Sequence, residues 1–277
     1  MVEQTQRFIE KYHMFSPQER LLVAVSGGKD SLSLWDILWR LGYQVDGLYI
    51  GLGIKGESDY SNQSHQLCET FARERALKLL LVDVASEYGA SIPAIAAITQ
   101  RGREKPCAVC GISKRHIMNR VARAGDYDVL VTGHNLDDEA AVLFSNTMNW
   151  TPGNLVRQAP VLEANHPGLV RKVKPLCRMY ERDMAAYAFL RGIEYIYEEC
   201  PHVSGSTTLY YKEILNRMEM DRPGAKLSFY LSFLQAKETG LFSPAADTQA
   251  VDLHACPTCG QPTTAPGECA FCRMFSK

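Results

Sequence analysis

Short apolar runs alternate with longer amphipathic segments along the first two hundred residues of the chain. Five runs have the length and apolar content of buried strands, at 21–25, 45–50, 79–84, 129–132 and 170–176. The segments between them predict helices, chiefly at 29–41, 61–76, 91–100, 107–124 and 180–191, with another that ends near Met148. Strands that alternate with helices predict an α/β fold, in which a parallel sheet has helices on both faces.

Changes in composition along the chain indicate four parts. Residues 1–19 predict an N-terminal helical segment, 20–200 the α/β domain, and 201–240 a helical extension with helices at 207–221 and 224–238. A linker containing Gly240, Ser243, Pro244 and Asp247 precedes a cysteine-rich module at 254–277. Residues 151–170, rich in Pro, Gly and Asn, predict a loop, and 194–197 predict a short extended segment.

The overall composition is that of an ordinary globular protein. Of the 277 residues, 46% are apolar and 22% are charged, and the formal net charge is −1. No apolar stretch reaches about 18 residues, and the first eleven residues lack a signal-peptide core. We therefore expect a cytoplasmic protein without a membrane span. Two basic stretches, 101–123 and 171–182, are either solvated faces or surfaces that contact phosphate.

A glycine-containing loop follows the first predicted strand. It reads Ser26-Gly27-Gly28-Lys29-Asp30-Ser31 and leads into a helix. Glycines permit positive φ and close backbone approach, and the N–H groups and dipole of a helix start favour phosphate oxygens. The lysine adds a positive charge and the serines add hydroxyl groups. The loop has neither Walker A nor G-x-G-x-x-G spacing, yet it predicts a phosphate site.

This loop resembles the PP-loop of the ATP pyrophosphatase superfamily. Enzymes of that superfamily adenylate a carbonyl or carboxyl oxygen and release pyrophosphate, and their adenine lies across the carboxyl ends of the first strands. The resemblance implies an ATP site with Mg²⁺, in which the backbone near Ala24 and Ile50 contacts the adenine. This placement agrees with the general position of ligands outside the carboxyl ends of parallel strands.

Two cysteines begin the helix predicted at 107–124. Cys107, Cys110 and Lys114 fall at offsets of 0, 3 and 7, which places all three on one helical face. We expect the lysine and the helix N-terminus to lower the pKa values of the thiols. Cys200 is the best candidate for a third thiol. The open alternatives are a three-cysteine [4Fe-4S] cluster, a redox disulfide or persulfide, and a zinc site completed by His202.

A second polar loop follows the fourth predicted strand and reads Gly133-His134-Asn135-Leu136-Asp137-Asp138-Glu139. Because it follows a strand, it lies at the carboxyl edge of the sheet, where Gly133 permits close backbone approach. Asp137 and Asp138 could hold Mg²⁺, act as a base, or start the following helix as an N-cap. We expect one of the two aspartates to be an N-cap and the other to be functional.

Two further Cys-x-x-Cys pairs lie in the C-terminal module. Nine residues with Pro and Gly turns separate the pairs, and the four cysteines are Cys256, Cys259, Cys269 and Cys272. Four thiolates at this spacing predict a closed, structural zinc site. We expect the module to have no hydrophobic core of its own, so that the metal supplies its folding energy. Cys68 and Cys177 have no partner spacing and are expected to be buried core thiols.

Taken in order, the PP-loop, the Cys-x-x-Cys-x-x-x-Lys segment, the Gly133 loop and Cys200 resemble the tRNA 2-thiolation enzymes of the TtcA/TtuA group, over residues 20–220. The resemblance implies an ATP-dependent tRNA sulfurtransferase with a three-cysteine [4Fe-4S] cluster. It implies adenylation of the C2 oxygen of a pyrimidine, attack by sulfide held on the cluster, and release of AMP and pyrophosphate. Enzymes of the TtuA type also carry an N-terminal zinc module, whereas the first cysteine here is Cys68.

The same resemblance assigns candidate residues and partners. The implied catalytic and cluster residues are Cys107, Cys110, Cys200, Lys114, Asp138 and Asp30. The implied nucleotide contacts are Ala24, Ser26, Gly27, Gly28, Lys29, Asp30, Ser31, Ile50, Lys114, Gly133, His134 and Asp138. The implied partners are tRNA and a sulfur donor, either sulfide, a cysteine desulfurase or a sulfur-carrier protein, and a homodimer is left open. The sequence leaves two other functions open. One is a PP-loop ligase, amidase or thiolase that acts on a small molecule, and the other is a zinc-bearing RNA-binding module without catalysis.

Overall fold

A six-stranded sheet forms the centre of the molecule. The computed structural model describes residues 1–55, 59–203, 207–242 and 253–276. The strands are β1 (Leu21–Val25), β2 (Val45–Gly51), β3 (Leu79–Asp83), β4 (Val129–Thr132), β5 (Val161–Leu162) and β6 (Arg171–Val173). They lie in the order β3-β2-β1-β4-β6-β5, and all pairs are parallel except that of β5 with β6. The predicted α/β class with a parallel sheet is confirmed.

Helices cover both faces of this sheet. The first seven are α1 (Val2–Lys11), α2 (Lys29–Arg40), α3 (Tyr60–Glu74), α4 (Val84–Tyr88), α5 (Ile92–Ile98), α6 (Gln100–Glu104) and α7 (Pro106–Ala124). They are followed by α8 (Leu136–Met148), α9 (Pro152–Arg157), α10 (Glu181–Leu190), α11 (Thr207–Asp221) and α12 (Ala225–Glu238). A two-stranded sheet of β7 (His254–Ala255) and β8 (Pro262–Thr263) then precedes α13 (Ala270–Phe275). None of the helices in the described ranges combines the length and apolar character that crossing a bilayer requires.

The strands are apolar almost throughout because both of their faces are covered. Along β1, Leu21, Val23 and Val25 belong to one buried core, and Leu22 belongs to a second. This alternation follows from the pleat, which sends successive side chains to opposite faces of the sheet. The first core packs α1, α2, α3, α10 and α12 against the sheet, and the second packs α5, α7 and α13.

The strand order creates a crevice at the carboxyl edge of the sheet. β2 lies on one side of β1 and β4 lies on the other, so the order of the strands reverses at β1. Ligands bind at such switch points in open α/β sheets. The loops that end β1 and β4 are the two polar loops identified in the sequence, so the topology alone brings them together.

The observed elements differ from the sequence predictions in a few short segments. Residues 151–170 contain α9 and β5 instead of a continuous loop, and α4 and α6 were not expected. Residues 194–197 join no strand. Each of the unexpected elements has six residues or fewer, which is too short for a periodic pattern. The part of the predicted linker that contains Ser243, Pro244 and Asp247 lies outside the described residues.

The predicted helical extension consists of α11 and α12, which pack against α8 and against each other. Since α8 begins directly after the Gly133 loop, this pair of helices lies close to the carboxyl edge of the sheet. The extension is therefore positioned to contribute side chains to the crevice.

Candidate active site

The loop between β1 and α2 has the features of an anion-binding turn. Gly27 has a φ of +75°, which glycine adopts without strain. A Cβ atom on Gly27 would lie 2.7 Å from the carbonyl oxygen of Ser64, so the glycine also lets the loop pack against α3. Gly28, in contrast, is extended and is the N-cap of α2. The hydroxyl of Ser31 donates to the Gly28 carbonyl at 3.0 Å and accepts from the Ser26 amide at 3.2 Å, which closes the turn.

A cavity of about 330 Å³ opens beside this loop, at the carboxyl ends of β1, β2 and β4. Leu48, Ile50 and Met118 give it an apolar wall that suits a purine ring. The predicted nucleotide contacts that line the cavity are Ala24, Ser26, Gly28, Asp30, Ser31, Ile50, Lys114, Gly133, His134 and Asp138. Gly27 and Lys29 are not part of this lining; the glycine packs against α3, and the lysine is held by carboxylates at the start of α2 and α10.

The loop after β4 contacts the start of α2 directly. A Cβ atom on Gly133 would lie 3.1 Å from the backbone nitrogen of Ser31, so the glycine permits the close approach that we expected. His134 Nδ1 lies 2.9 Å from the hydroxyl oxygen of Thr132. Burial, together with the charge of Lys172, lowers the pKa of His134 to about 4. The imidazole is therefore neutral at pH 7 and offers a hydrogen-bonding edge to the cavity.

The N-cap of α8 is Asn135, so the expectation that one aspartate is the N-cap was wrong. The Asn135 side chain accepts from the Asp138 amide at 3.0 Å, and the Asp138 carboxylate accepts from the Asn135 amide at 3.2 Å, which forms a capping box. Asp137 is buried, accepts from the Glu181 amide at 2.7 Å and pairs with the buried Lys226. Asp137 thus joins α8, α10 and α12, whereas Asp138 presents its carboxylate to the cavity.

Five charged side chains alternate in sign beside the cavity, in the order Asp30, Lys29, Glu181, Lys212 and Asp138. Lys29 Nζ lies 3.2 Å from Asp30 Oδ2 and 2.7 Å from Glu181 Oε1. Lys212 Nζ lies 3.0 Å from Glu181 Oε2 and 2.6 Å from Asp138 Oδ1. Burial opposes ionisation of Glu181, but hydrogen bonds from the two lysines outweigh it and lower the pKa of Glu181 to about 2. Neither Glu181 nor Lys212 belongs to a spaced motif, so no pattern in the sequence marked them.

The three cysteines that were predicted to meet do lie together. Cys107 and Cys110, in the first turns of α7, line a second cavity of about 260 Å³ together with Cys200 and His202. The Cys107 sulfur lies 3.5 Å from the carbonyl oxygen of His202. The rest of the wall is mainly apolar, with Ile54, Ile92, Pro93, Ala96, Ala97 and Pro106. An apolar surrounding controls solvent access to a metal site, so this cavity suits a shielded metal–thiolate group.

Helix α7 joins the second cavity, which we call the cysteine cavity, to the first cavity beside the loop at 26–31, which we call the nucleotide cavity. Lys114 lies one turn beyond Cys110, lines the nucleotide cavity, and its positive charge favours the thiolate form of Cys110. The common helical face that the spacing predicted therefore spans both cavities. The expected low pKa of Cys110 was wrong for the metal-free chain: burial of the thiol raises its pKa, and Lys114 offsets this only in part.

The spread of the thiols distinguishes two kinds of metal site. The sulfur atoms of the four C-terminal cysteines all lie within 4.8 Å of one another. Within the four described ranges, no other set of three or more His, Cys, Asp or Glu side chains has its ligand atoms this close together. Cys107, Cys110, Cys200 and His202 do not form such a group, which argues against a single zinc ion with three cysteines and one histidine. In a four-iron cluster each cysteine binds a different iron, so the thiols surround the cluster at a wider spacing. The central residues fit a cluster better than a single ion.

The C-terminal cysteines fit one tetrahedral ion. The sulfur atoms of Cys256 and Cys272 are 3.9 Å apart, and those of Cys259 and Cys269 are 3.8 Å apart. Zinc–sulfur bonds of about 2.3 Å place tetrahedral thiolates about 3.8 Å from one another. Backbone amides also point at the sulfurs, from Cys269 to Cys256 at 3.2 Å and from Cys272 to Cys269 at 3.4 Å. The arrangement has no open corner for catalysis.

The C-terminal module is docked on α7. The ring of Phe271 stacks on His116 with centroids 3.8 Å apart, and the Gln261 side chain bonds to Asn119 at 2.9 Å. Three of the module's cysteines and Phe271 belong to the same buried core as Ile117. The expectation that the module has no hydrophobic core was therefore incomplete, because it shares the core beneath α7.

The remaining predicted features are structural. Cys68 and Cys177 are fully buried, as expected, and burial raises the pKa of each thiol to about 12. In the basic stretches, several cations are paired with carboxylates, among them Arg120 with Glu87, Arg171 with Glu19 and Lys174 with Glu139. Lys114 is the member of these stretches that lines the nucleotide cavity.

Several known proteins are similar to this chain in sequence or in fold. Residues 1–202 match the PP-loop domain family. The chain is 49% identical over 275 residues to the tRNA-5-methyluridine(54) 2-sulfurtransferase of Thermus thermophilus, which covers 99% of this chain and 82% of that protein. It is 42% identical to the Thermotoga maritima protein of the same name, over 98% of this chain and 86% of that protein.

One solved structure is similar to this chain in fold. The U34-tRNA thiolase NcsA from Methanococcus maripaludis, a structure with its [4Fe-4S] cluster, has a TM-score of 0.77 at 22% identity and covers 99% of this chain and 87% of that chain. With a PP-loop beside the first of two cavities that α7 joins, the chain belongs to the PP-loop domain family and, within it, to the family of the tRNA 2-sulfurtransferases.

Proposed function

We propose that this chain replaces the C2 oxygen of 5-methyluridine 54 in tRNA by sulfur, in a reaction that consumes ATP. The observation that supports the proposal best is that one helix, α7, presents two thiols to the cysteine cavity and Lys114 to the nucleotide cavity. The relatives at 49% and 42% identity bear the name of this activity, and they motivate the choice of base and position.

We assign the first cavity to ATP. The apolar wall of Leu48 and Ile50 receives the adenine, and the loop at 26–31 receives the phosphates. The amide groups at the start of α2 and the charge of Lys29 stabilise the leaving pyrophosphate. Asp30 and Asp138 are the carboxylates that line this cavity, and they are our candidates for the ligands of Mg²⁺.

The chemistry proceeds in two displacements. The C2 oxygen of the base attacks the α-phosphorus, the bond to the bridging oxygen of the β-phosphate breaks, and pyrophosphate leaves while the N3 proton is released. Hydrosulfide then adds to the activated C2, and AMP leaves with the former C2 oxygen. The proton brought by the hydrosulfide returns to N3, which yields the 2-thio base. The target base has to leave its stack in order to reach a cavity of this kind.

We assign Cys107, Cys110 and Cys200 to a [4Fe-4S] cluster and the four C-terminal cysteines to zinc. A cluster with three protein thiolates supplies an iron that lacks a protein ligand and is able to bind the incoming sulfide. Lys114 stands between the thiols and the nucleotide, where its charge stabilises the negative charge that develops on the α-phosphate. The apolar wall of the cysteine cavity keeps water, a competing nucleophile, away from the activated base.

The decisive experiment is reconstitution of the thiolation reaction. The anaerobically prepared holoenzyme is incubated with ATP, sulfide and a tRNA that carries 5-methyluridine 54, and the digested nucleosides are identified by mass spectrometry. We expect a 2-thio product together with stoichiometric AMP and pyrophosphate. Cys107→Ala, Cys110→Ala and Cys200→Ala should abolish the product. Cys177→Ala removes a buried thiol that lines neither cavity, so it is the matched control and should keep the product.

Three results would refute the proposal in different ways. Full thiolation by Cys200→Ala would remove the thiol trio from the mechanism. Pyrophosphate release that is independent of tRNA would favour a ligase that acts on a small molecule, and no release under any condition would favour an RNA-binding role without catalysis.

A further inference from the structure

A lysine from beyond the matched PP-loop domain completes the line of charges beside the nucleotide cavity. The match ends at residue 202, whereas Lys212 lies on α11. Its ammonium group lies 2.6 Å from Asp138 Oδ1 and 3.0 Å from Glu181 Oε2, and its side chain is 17% exposed. A long, flexible side chain that is enclosed in this way has given up its rotamer freedom to hold two carboxylates.

Lys212 fixes the orientation of Asp138. One carboxylate oxygen of Asp138 accepts from the Asn135 amide at 3.2 Å, and the other faces Lys212. Without the ammonium group, the carboxylate would keep only its helix-capping bond. It would also stand unshielded near the carboxylate of Asp30, which lines the same cavity. Like-charge repulsion would then favour rotation of Asp138 away from the cavity.

Glu181 extends the same constraint to the PP-loop. One of its oxygens accepts from Lys212, and the other accepts from Lys29 at 2.7 Å. Three carboxylates and two ammonium groups therefore alternate here, which leaves one net negative charge (three minus two). Loss of Lys212 would raise the net charge of this group from one negative charge to two (three minus one), beside the loop that receives the phosphates of ATP.

We propose that Lys212 is a positioning residue of the adenylation reaction, which holds Asp138 and Glu181 so that Lys29 and the nucleotide phosphates are aligned for attack at the α-phosphorus. The inference rests on the proposed function and deepens it. It makes α11 a part of the active site, although this helix lies outside the matched domain.

A purely structural role for Lys212 would be to keep α11 on α8, but other contacts already do this. The rings of Phe144 and Tyr211 meet edge to face with centroids 5.2 Å apart. Leu215 is buried against Ala140 and Ala141. Because these apolar contacts remain when Lys212 is changed, we expect the change to affect catalysis more than folding.

The test compares two lysines that both tie the helical extension to the rest of the chain. Lys237 on α12 donates to the carbonyl oxygens of Val156 and Gln158 at 2.8 and 2.7 Å, and it touches neither cavity. Lys212→Met and Lys237→Met are prepared as holoenzymes, and tRNA-dependent pyrophosphate release is measured as a function of ATP and tRNA concentration. Folding is checked by circular dichroism at the assay temperature.

We expect Lys212→Met to lower kcat by about tenfold to hundredfold, since misplacement of reacting groups by an ångström costs about that much. The KM for tRNA should stay within about twofold of wild type, and Lys212→Arg, which still donates to both carboxylates, should recover most of kcat. Lys237→Met should keep kcat. If Lys212→Met does not fold, Lys212→Gln is measured in its place against the same expectation.

A folded Lys212→Met variant, or Lys212→Gln in its place, with the kcat of wild type would overturn the inference, and so would an equal loss of kcat in Lys237→Met. These failures differ from failure of the proposed function, in which the wild-type holoenzyme itself releases no pyrophosphate in the presence of tRNA.

Discussion

Replacing Lys226 by Met should lower the free energy of unfolding by about 3–5 kcal/mol, because it removes the partner of a buried carboxylate. The side chains of Lys226 and Asp137 are 4% and 7% exposed. In the variant, Asp137 keeps the hydrogen bond from the Glu181 amide at 2.7 Å, but its charge has no counter-ion and little access to water. The loss should therefore be far larger than that of a surface ion pair.

A double-mutant cycle separates the charge pair from the other contacts of these residues. Asp137→Asn keeps an oxygen that accepts from the Glu181 amide, yet it leaves the Lys226 ammonium buried and unpaired, so a loss of similar size is expected. The double variant carries neither charge. It should be more stable than the sum of the single losses predicts, by about 2–3 kcal/mol, which lies at the upper end of measured coupling between neighbours.

Urea unfolding followed by circular dichroism, with zinc and reductant held constant, gives each free energy by linear extrapolation. Arg182→Met is the control, because Arg182 is 72% exposed and lies 3.8 Å from Asp183. This change should alter stability by less than about 0.5 kcal/mol. A loss below about 1 kcal/mol in Lys226→Met, or a coupling near zero, would refute the reasoning that the pair is shielded from solvent.

Three further predictions follow from the geometry. Gly27→Ala should lose about 1–3 kcal/mol in urea unfolding from backbone strain, since the φ is +75° and Ser64 is close, whereas Gly153→Ala, which meets open space, should lose less. Burial lowers the pKa of His116 to about 4, so the folded state holds the neutral imidazole. The contribution of His116 to the free energy of unfolding should therefore be fully present above about pH 6.5 and should be lost as the pH falls towards 4. A His116→Phe variant whose free energy of unfolding falls equally over this pH range would contradict this expectation. Removing the metal from the C-terminal cysteines with a chelator should make residues 254–276 sensitive to limited proteolysis, and continued protection after measured zinc loss would show that docking on α7 suffices.

The sheet and both loops at its edge could be located from the sequence because their signals are local. A run such as Leu21–Val25 is apolar at every position only when both faces are buried, and a glycine pair directly after it has few uses other than a tight turn. The fixed spacing of Cys107, Cys110 and Lys114 in turn determined their shared helical face. Predictions of this kind need no knowledge of tertiary contacts.

What could not be predicted depends on packing between distant segments. Glu181 and Lys212 reach the cavity only because α10 and α11 lie beside α8, and nothing local to either residue marks it. The pKa of Cys110 depends on how far its thiol is buried, which outweighs the nearby lysine that the sequence shows. The N-cap of α8 also depended on a choice among three neighbouring polar residues, and their side-chain geometry decided it in favour of Asn135.

The regular geometry of α7 fixes the distances and relative orientations of Cys110, Lys114 and His116. One residue inserted after Cys110 would rotate everything beyond it by about 100° and advance it by about 1.5 Å. Lys114 would then swing off the nucleotide cavity, and His116 would lose its stack on Phe271. Four inserted residues would nearly restore the rotation but add about 6 Å between sulfur and nucleotide. Changes of length are therefore expected to be harmful within these seven positions.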